Sequence, residues 1–451
     1  MRNLSFNKLE KLILSFLILF PLLTIAQDEK EWYGRPDYWR PYDQRGVNVF
    51  ETGKKDDSVQ FKGLKVRLGA GFTQQFQNLH QKNAGATGFE TSNKLYPLAS
   101  GFMTAQANLF VDVQLADGIR LNVTTYLSTR HHNEAWVKGG YIQFDKLPFK
   151  AKFWQDLMKI TTIKVGHMEI NYGDAHFRRS DGGQALYNPF MESYIMDAFA
   201  TEIGGEVYLQ KNGLFGMLGV TNGMIKGNVD SVVKTPQDDN VKRSPSIYFK
   251  GGIDKNISDN VRIRLSGSFY HNGSSAASGL TLFGGDRSGS NYQNVMEKAP
   301  AGAALPSSTA IAFSGRLNPG FSKKVDAYML NGFIKISGLE LFGTYENAKG
   351  RSKAETINRT MNQYAADIVY RFGIRENLFA GVRYNKVEGK LANIVNDVKV
   401  DRLAIAGGWF VTKNVLMKGE YVIQNYNSFP SSDYRSSGKF NGYVIEAVVG
   451  F

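Results

Sequence analysis

Over most of its length the chain alternates apolar residues with polar or small ones, the period-two pattern of strands whose two faces meet different surroundings. In residues 105–115, Ala105, Ala107, Leu109, Val111, Val113 and Leu115 share one face, and Gln106, Asn108, Asp112 and Gln114 share the other. The next run sets Ile119, Leu121, Val123 and Leu127 against Arg120, Asn122, Thr124 and Ser128, with only Asp117-Gly118 between the two runs as a turn. About 16 such segments occur, near residues 64–78, 101–115, 118–131, 135–146, 161–172, 200–211, 213–224, 246–256, 260–272, 324–336, 338–348, 362–373, 376–389, 398–411, 414–427 and 438–451. Phe149 to Lys159 reads as a short helix, and Thr309 to Arg316 as a candidate additional strand pair, which leaves 14 or 18 strands as alternatives.

Connection lengths sort by parity. Those after even-numbered segments are mostly tight, as at Lys211-Asn212-Gly213, Ser258-Asp259-Asn260, Ser337-Gly338 and Thr412-Lys413-Asn414. Those after odd-numbered segments are often long, near residues 79–100, 173–199, 225–245, 273–323, 349–361 and 428–437. Transmembrane barrels have short periplasmic turns and longer extracellular loops, so this parity predicts an all-β antiparallel barrel with both termini periplasmic. A soluble β-sandwich gives no reason for such sorting.

The start of the chain supports export. Arg2, Lys8 and Lys11 precede the apolar run 12–23, and Thr24-Ile25-Ala26 offers small residues for cleavage, so residues 1–26 read as a signal peptide. Residues 27–63 form an aromatic-rich extension, expected in the periplasm, and 64–451 the barrel. No cysteine is present, which excludes a lipid-modified cysteine, disulfides and thiolate metal ligation. Mean hydropathy is −0.30, as expected when only alternate residues face lipid. The formal charge is +13, and removing the leader, with Arg2, Lys8 and Lys11 against Glu10, leaves +11. The excess is dispersed and accompanies no nucleic-acid motif, so it reads as an anion-attracting field in a lumen rather than a nucleic-acid surface.

Placing the apolar face outward puts Lys65, Arg67, Arg120, Lys164, Lys250, Arg262, Arg264, Lys335, Arg371, Arg383, Arg402 and Lys418 inside, opposed by Asp112, Glu206, Asp254, Glu340, Glu346, Asp367, Glu420 and Glu446. A charged side chain facing lipid at mid-membrane costs about 2–4 kcal/mol, which is why such segregation indicates a wet interior. Of these, Arg120, Arg264, Arg371, Arg383, Arg402, Lys418 and Glu420 are candidate pore-lining residues. The long connection at 173–199 is a candidate inward loop, and its His176, Arg178, Arg179 and Asp181 are candidates for a pore constriction. His131, His132 and Glu134 do not make a metal site, because adjacent strand residues point to opposite faces. There is no Gly-x-Ser-x-Gly elbow, His-Glu-x-x-His or P-loop, so neither an enzyme nor a cofactor or metal is expected. A rim hydrolase is the minority alternative.

Two resemblances extend this reading. The last segment places Tyr443, Ile445, Ala447, Val449 and Phe451 on one face, an ending that resembles the recognition signal of the barrel-assembly machinery, with Phe451 its aromatic terminus. Val165-Gly166-His167-Met168-Glu169 followed by Asn171-Tyr172-Gly173-Asp174 resembles the corresponding strand and third loop of the phosphate-selective porin-like family, and the aromatic tail before the first strand resembles porins of the Bacteroidota. This resemblance implies a homotrimer of 16-stranded barrels in outer-membrane lipid, passing small hydrophilic or anionic solutes past Arg178 and Arg179. The chain departs from that family in lacking a dense arginine or lysine ladder. The expected function is a passive outer-membrane porin; the alternative is a non-conducting barrel subunit of an outer-membrane or secretion complex, docked through its aromatic tail.

Overall fold

A computed structural model of the chain describes residues 39–51, 54, 61–84, 94–126, 136–232, 234, 242–276, 279–299 and 313–451. The leader, residues 27–38 and the His131-His132-Glu134 group lie outside them. The strands are β1 (Lys65–Lys82), β2 in two pieces (Gly101–Phe102 and Gln106–Ala116), β3 (Ile119–Tyr126), β4 (Trp136–Phe144), β5 (Thr161–Glu169), β6 (Thr201–Lys211), β7 (Leu214–Thr221) and β8 (Ser246–Ser258). They continue with β9 (Val261–Asn272), β10 (Lys324–Ile336), β11 (Leu339–Arg351), β12 (Arg359–Phe372), β13 (Leu378–Gly389), β14 (Val398–Thr412), β15 (Val415–Asn427) and β16 (Lys439–Gly450). One helix, α1 (Lys152–Met158), joins β4 to β5 where a short helix was expected. The described part of the candidate strand pair, 313–316, is instead a turn closed by Arg316 N–H on the Phe313 carbonyl at 2.8 Å.

Each strand pairs antiparallel with its neighbours in sequence, and β1 pairs with β16 from Gly71↔Gly450 to Lys82↔Lys439, which closes the sheet into a 16-strand barrel. Closure leaves no edge with unpaired N–H and C=O groups, the condition for crossing a hydrocarbon layer with strands. The tight turns hold the register. Asn212 and Gly213 both take positive φ (54° and 80°), as a two-residue hairpin turn requires, and Lys211 stands opposite Leu214.

The outward face is apolar around the ring, with Leu68, Leu218, Phe249, Leu330, Ile368, Ile405 and Ile445 exposed. All twenty charged residues assigned inward lie on the other face. Fourteen are buried, and Lys65, Arg67, Lys164, Asp254, Arg262 and Lys335 are half-buried. The lumen is not the open aqueous channel that a wide barrel suggests. The connection at 170–200, the described parts 279–299 and 313–323 of a second connection, and the segment 39–51 fold into it, so the largest apolar cluster lies within the barrel where Met191, Ile195, Tyr292 and Val295 of the loops meet Tyr248, Tyr270 and Val422 of the wall.

Candidate functional site in the lumen

The inward loop leaves the wall at Gly173. This residue has φ +70°, and a Cβ there would sit 2.2 Å from Met329 Sδ, so any larger side chain would hold the loop off the wall. Asp174 follows as its first anchor. Its carboxylate accepts from Arg264 at 2.7 and 2.8 Å and from Ser266 at 2.8 Å, and pairs with Lys250 at 2.7 Å, while its N–H donates to Asn331 at 2.9 Å. Burial alone would raise the carboxyl's pKa, but Lys250 and Arg264 outweigh it and hold Asp174 well below the usual carboxylate range.

Farther along, the wall grips the loop's main chain. Arg383 donates to the Glu192 carbonyl and Arg402 to the Ser193 carbonyl, each at 2.8 Å. Lys418 donates to the carbonyls of Ala185, Asn188 and Phe190 at 2.9–3.1 Å and pairs with Glu446 at 2.9 Å. Glu420 accepts from the Met191 N–H at 2.9 Å, Asn385 from Ile195 at 2.7 Å and Gln363 from Met196 at 2.9 Å. These bonds answer the accounting that any irregular backbone poses at membrane depth: a loop there is tolerable only if its N–H and C=O groups find partners in the protein or in lumen water. Arg264, Arg383, Arg402, Lys418 and Glu420 are therefore placed as anchors of the loop. Arg371 is bound to Glu340 at 2.6 Å.

The four constriction candidates are all buried within the loop. Arg179 bridges Asp181 and Asp197, with the Asp197 contacts at 2.8 Å, and its guanidinium lies 4.2 Å from the Phe199 ring. Burial outweighs Arg179 in pushing the Asp181 carboxyl up to about 6. Arg178 lies 3.9 Å from Asp367 and 4.8 Å over the Phe342 ring. His176 contacts Asn171 at 2.8 Å and Glu169 at 3.3 Å, and burial holds its ring below the usual histidine range despite Glu169. A second inward loop locks onto the first: Arg316 binds Glu192 at 2.5 Å and Asp197 at 2.8 Å, and Asn291 donates to the carbonyls of Ser180 and Met191 at 2.6 Å.

The segment 39–51 crosses the end of the lumen that carries the short turns, where Gln44 N–H donates to the Lys413 carbonyl at 2.8 Å. Arg40 donates to the Phe177 carbonyl at 2.7 Å and lies 3.9 Å over the Tyr187 ring. Tyr42 stacks on Phe110 at 4.2 Å and donates to Asp112 at 2.9 Å. Glu51 pairs with Lys250 at 2.8 Å and Arg264 at 2.6 Å. Glu51, Glu192, Asp197, Asp286 and Arg316 thus hold the lumen together, and alternation gave no sign of them because they lie outside the strands.

A cavity of about 260 Å³ stays open between these packed segments and the inner wall of β1 to β6. Arg67, Arg120, Lys138 and Lys164 line it. Arg67 pairs with Asp112 at 2.5 Å, Arg120 with Asp145 at 2.9 Å and Lys138 with Asp286. Lys164 differs from these three: it faces the rings of Tyr141 and Tyr208 at 5.2 and 4.8 Å, with no carboxylate in ion-pair contact among the described residues. Arg120 is the one candidate pore-lining residue that faces this cavity. Phe451 is exposed at the end of the closing strand, and its main chain exchanges hydrogen bonds of 2.8 and 3.0 Å with Ala70 of β1.

No family model and no curated protein matches the chain in sequence. Solved structures do match in fold. The anion-selective porin from Comamonas acidovorans superposes with TM-score 0.51 at 10% identity, over 86% of this chain and 100% of that one. The outer membrane channel DcaP of Acinetobacter baumannii gives TM-score 0.48 at 11% identity, over 87% of this chain and 99% of that one. OpdQ of Pseudomonas aeruginosa gives TM-score 0.42 at 10% identity, over 86% and 98%. The likeness to the Comamonas acidovorans porin is one of fold alone, and the chain has the porin-type fold of a closed, 16-stranded antiparallel barrel.

Proposed function

We propose that this chain is a porin of the bacterial outer membrane, through which small hydrophilic solutes diffuse passively with a preference for anions, and that it catalyses no reaction. The observation that carries this reading is the cavity along β1 to β6, where Lys164 presents a cation with no carboxylate in ion-pair contact among the described residues, in a barrel whose outer face is apolar. A closed barrel needs no polar cavity to be stable, and packing the rest of the lumen with protein narrows any solute path to this side. A fixed ammonium group in a space walled by low-dielectric protein attracts anions more strongly than it would in open water. Export by residues 1–26, insertion through the Phe451 ending and assembly as a homotrimer belong to the same reading.

The filled lumen favours a second reading, a non-conducting barrel subunit of an envelope complex. Planar-bilayer recording of the refolded mature chain separates the two. The porin reading expects stepwise conductance and, in a salt gradient, a reversal potential on the anion side. Loss of anion preference in Lys164→Glu would assign the selectivity to the cavity. Absence of any conductance step would reject the porin reading, and a cation-selective potential would reject the preference for anions.

A further inference from the structure

Most described connections on the periplasmic side are two residues long, but β4 and β5 are joined through 145–160, which carries α1. The side is fixed by contacts to a neighbouring periplasmic turn: Asp145 N–H donates to the Gly118 carbonyl at 2.7 Å, and Lys146 bonds Asp117 at 2.8 Å. The helix is seated by one residue, Met158, which is buried, while Phe149, Phe153 and Trp154 are 51%, 68% and 37% exposed. These three rings form a knob of their own, with Phe149 and Trp154 centroids 5.6 Å apart and Phe153 and Trp154 5.2 Å apart. None of them lines the lumen cavity. Three clustered aromatic rings left in water are an unexplained cost for a segment that a two-residue turn could replace.

We infer that this knob docks into the periplasmic leaflet of the membrane and that the lysines beside it bind anionic phospholipid headgroups. Two observations identify the occupant. The knob continues the lipid-facing band: Leu209 of β6 is 49% exposed on that band, and the adjacent Gln210 N–H donates to the Ile160 carbonyl at 2.8 Å, just beyond the helix. The charge is also complementary. Lys150 and Lys152 are exposed with no carboxylate in ion-pair contact among the described residues, whereas Lys159 is paired with Asp156 of the same turn. Aromatic rings with an apolar body prefer the headgroup level, and lysines flanking such a ring are drawn to anionic lipid.

The chain has no cysteine, so Phe153→Cys in the full mature protein gives a unique attachment point for an environment-sensitive dye. The same dye at Leu209→Cys marks the lipid face, and at Val395→Cys, 84% exposed in a loop on the opposite side, it marks water. In phosphatidylcholine vesicles containing phosphatidylglycerol, the dye at 153 should be quenched by brominated phospholipid as at 209 and shielded from iodide. Lys150→Gln and Lys152→Gln should each weaken this docking roughly fivefold in the anionic vesicles. If the dye at 153 is as open to iodide as at 395, the knob faces water and awaits a protein partner, and the inference fails. Equal shielding in pure phosphatidylcholine overturns the assignment to anionic headgroups. Trp154→Cys repeats the measurement should Phe153→Cys not fold, as judged by heat-modifiable gel mobility.

Discussion

The two halves of the barrel wall share one alternation and a similar set of inward charges, yet those charges have different tasks. On β9 to β15, Arg264, Arg383, Arg402 and Lys418 end on an inward-loop carboxylate or on its carbonyls, so each cation is neutralised or hydrogen-bonded by the plug it holds. On β1 to β5, Arg67, Arg120, Lys138 and Lys164 border the cavity, and Lys164 faces two tyrosine rings with no carboxylate in ion-pair contact among the described residues. An inward-facing arginine is thus not by that fact a pore-lining one; the loop lying against it decides.

The harshest way to break the contrast is to remove the plug. Replacing 174–198 by a short flexible linker should raise single-channel conductance severalfold and make the β9 to β15 cations line water, which planar-bilayer recording would show as a stronger anion preference. Next comes Asp174→Ala, which leaves Lys250 and Arg264 to share Glu51 in a buried site. Losing one partner of such a network costs about 3–5 kcal/mol, seen as a lower temperature for loss of the compact gel band and as noisier open-channel current.

A smaller effect sharpens the contrast between the halves. Lys164→Glu should shift the reversal potential toward cations at unchanged thermal stability, whereas Arg179→Ala should destabilise the fold by exposing Asp181 and Asp197 to each other, with selectivity changing only as far as the loop loosens. Equal shifts in reversal potential from the two variants would abolish the distinction between the cavity and the loop. The smallest expected effect is one of pH. Because burial holds His176 below the ordinary histidine range, the docked loop accepts the neutral ring. Stability from this group is complete above about pH 6.5 and is lost as the pH falls, since a released ring protonates there while the docked one resists. Gating noise should therefore rise between neutral pH and about pH 5, and less so in His176→Gln.

Much of the wall was legible because strand alternation reports directly on lipid and lumen. The segments 324–336 and 398–411 match β10 and β14 to within one residue, and the parity of the loops placed α1 and the tight turns on one side. The site was less legible. Arg264, Arg383 and Lys418 read as inward, which they are, but their partners are carbonyls and carboxylates of a loop that is more than sixty residues distant in sequence. Asp286 lies in a loop with no periodicity, and Arg316 ends a stretch read as a candidate strand pair that is a turn in the structure, so no pattern marked either as an ion-pair partner. The aromatic tail read as a periplasmic extension, while Tyr42, Asn48 and Glu51 are bound to Asp112, Glu340 and Lys250 inside the barrel.

By itself the sequence determined which side of each strand meets lipid and which connections are short, and it narrowed the ring to 14, 16 or 18 strands, because these depend on the transfer of side chains between oil and water and on local turn geometry. Only the tertiary structure decided what fills the ring. The path of a long loop is set by hydrogen bonds and ion pairs between residues far apart in the chain, and a one-dimensional pattern carries no trace of that pairing.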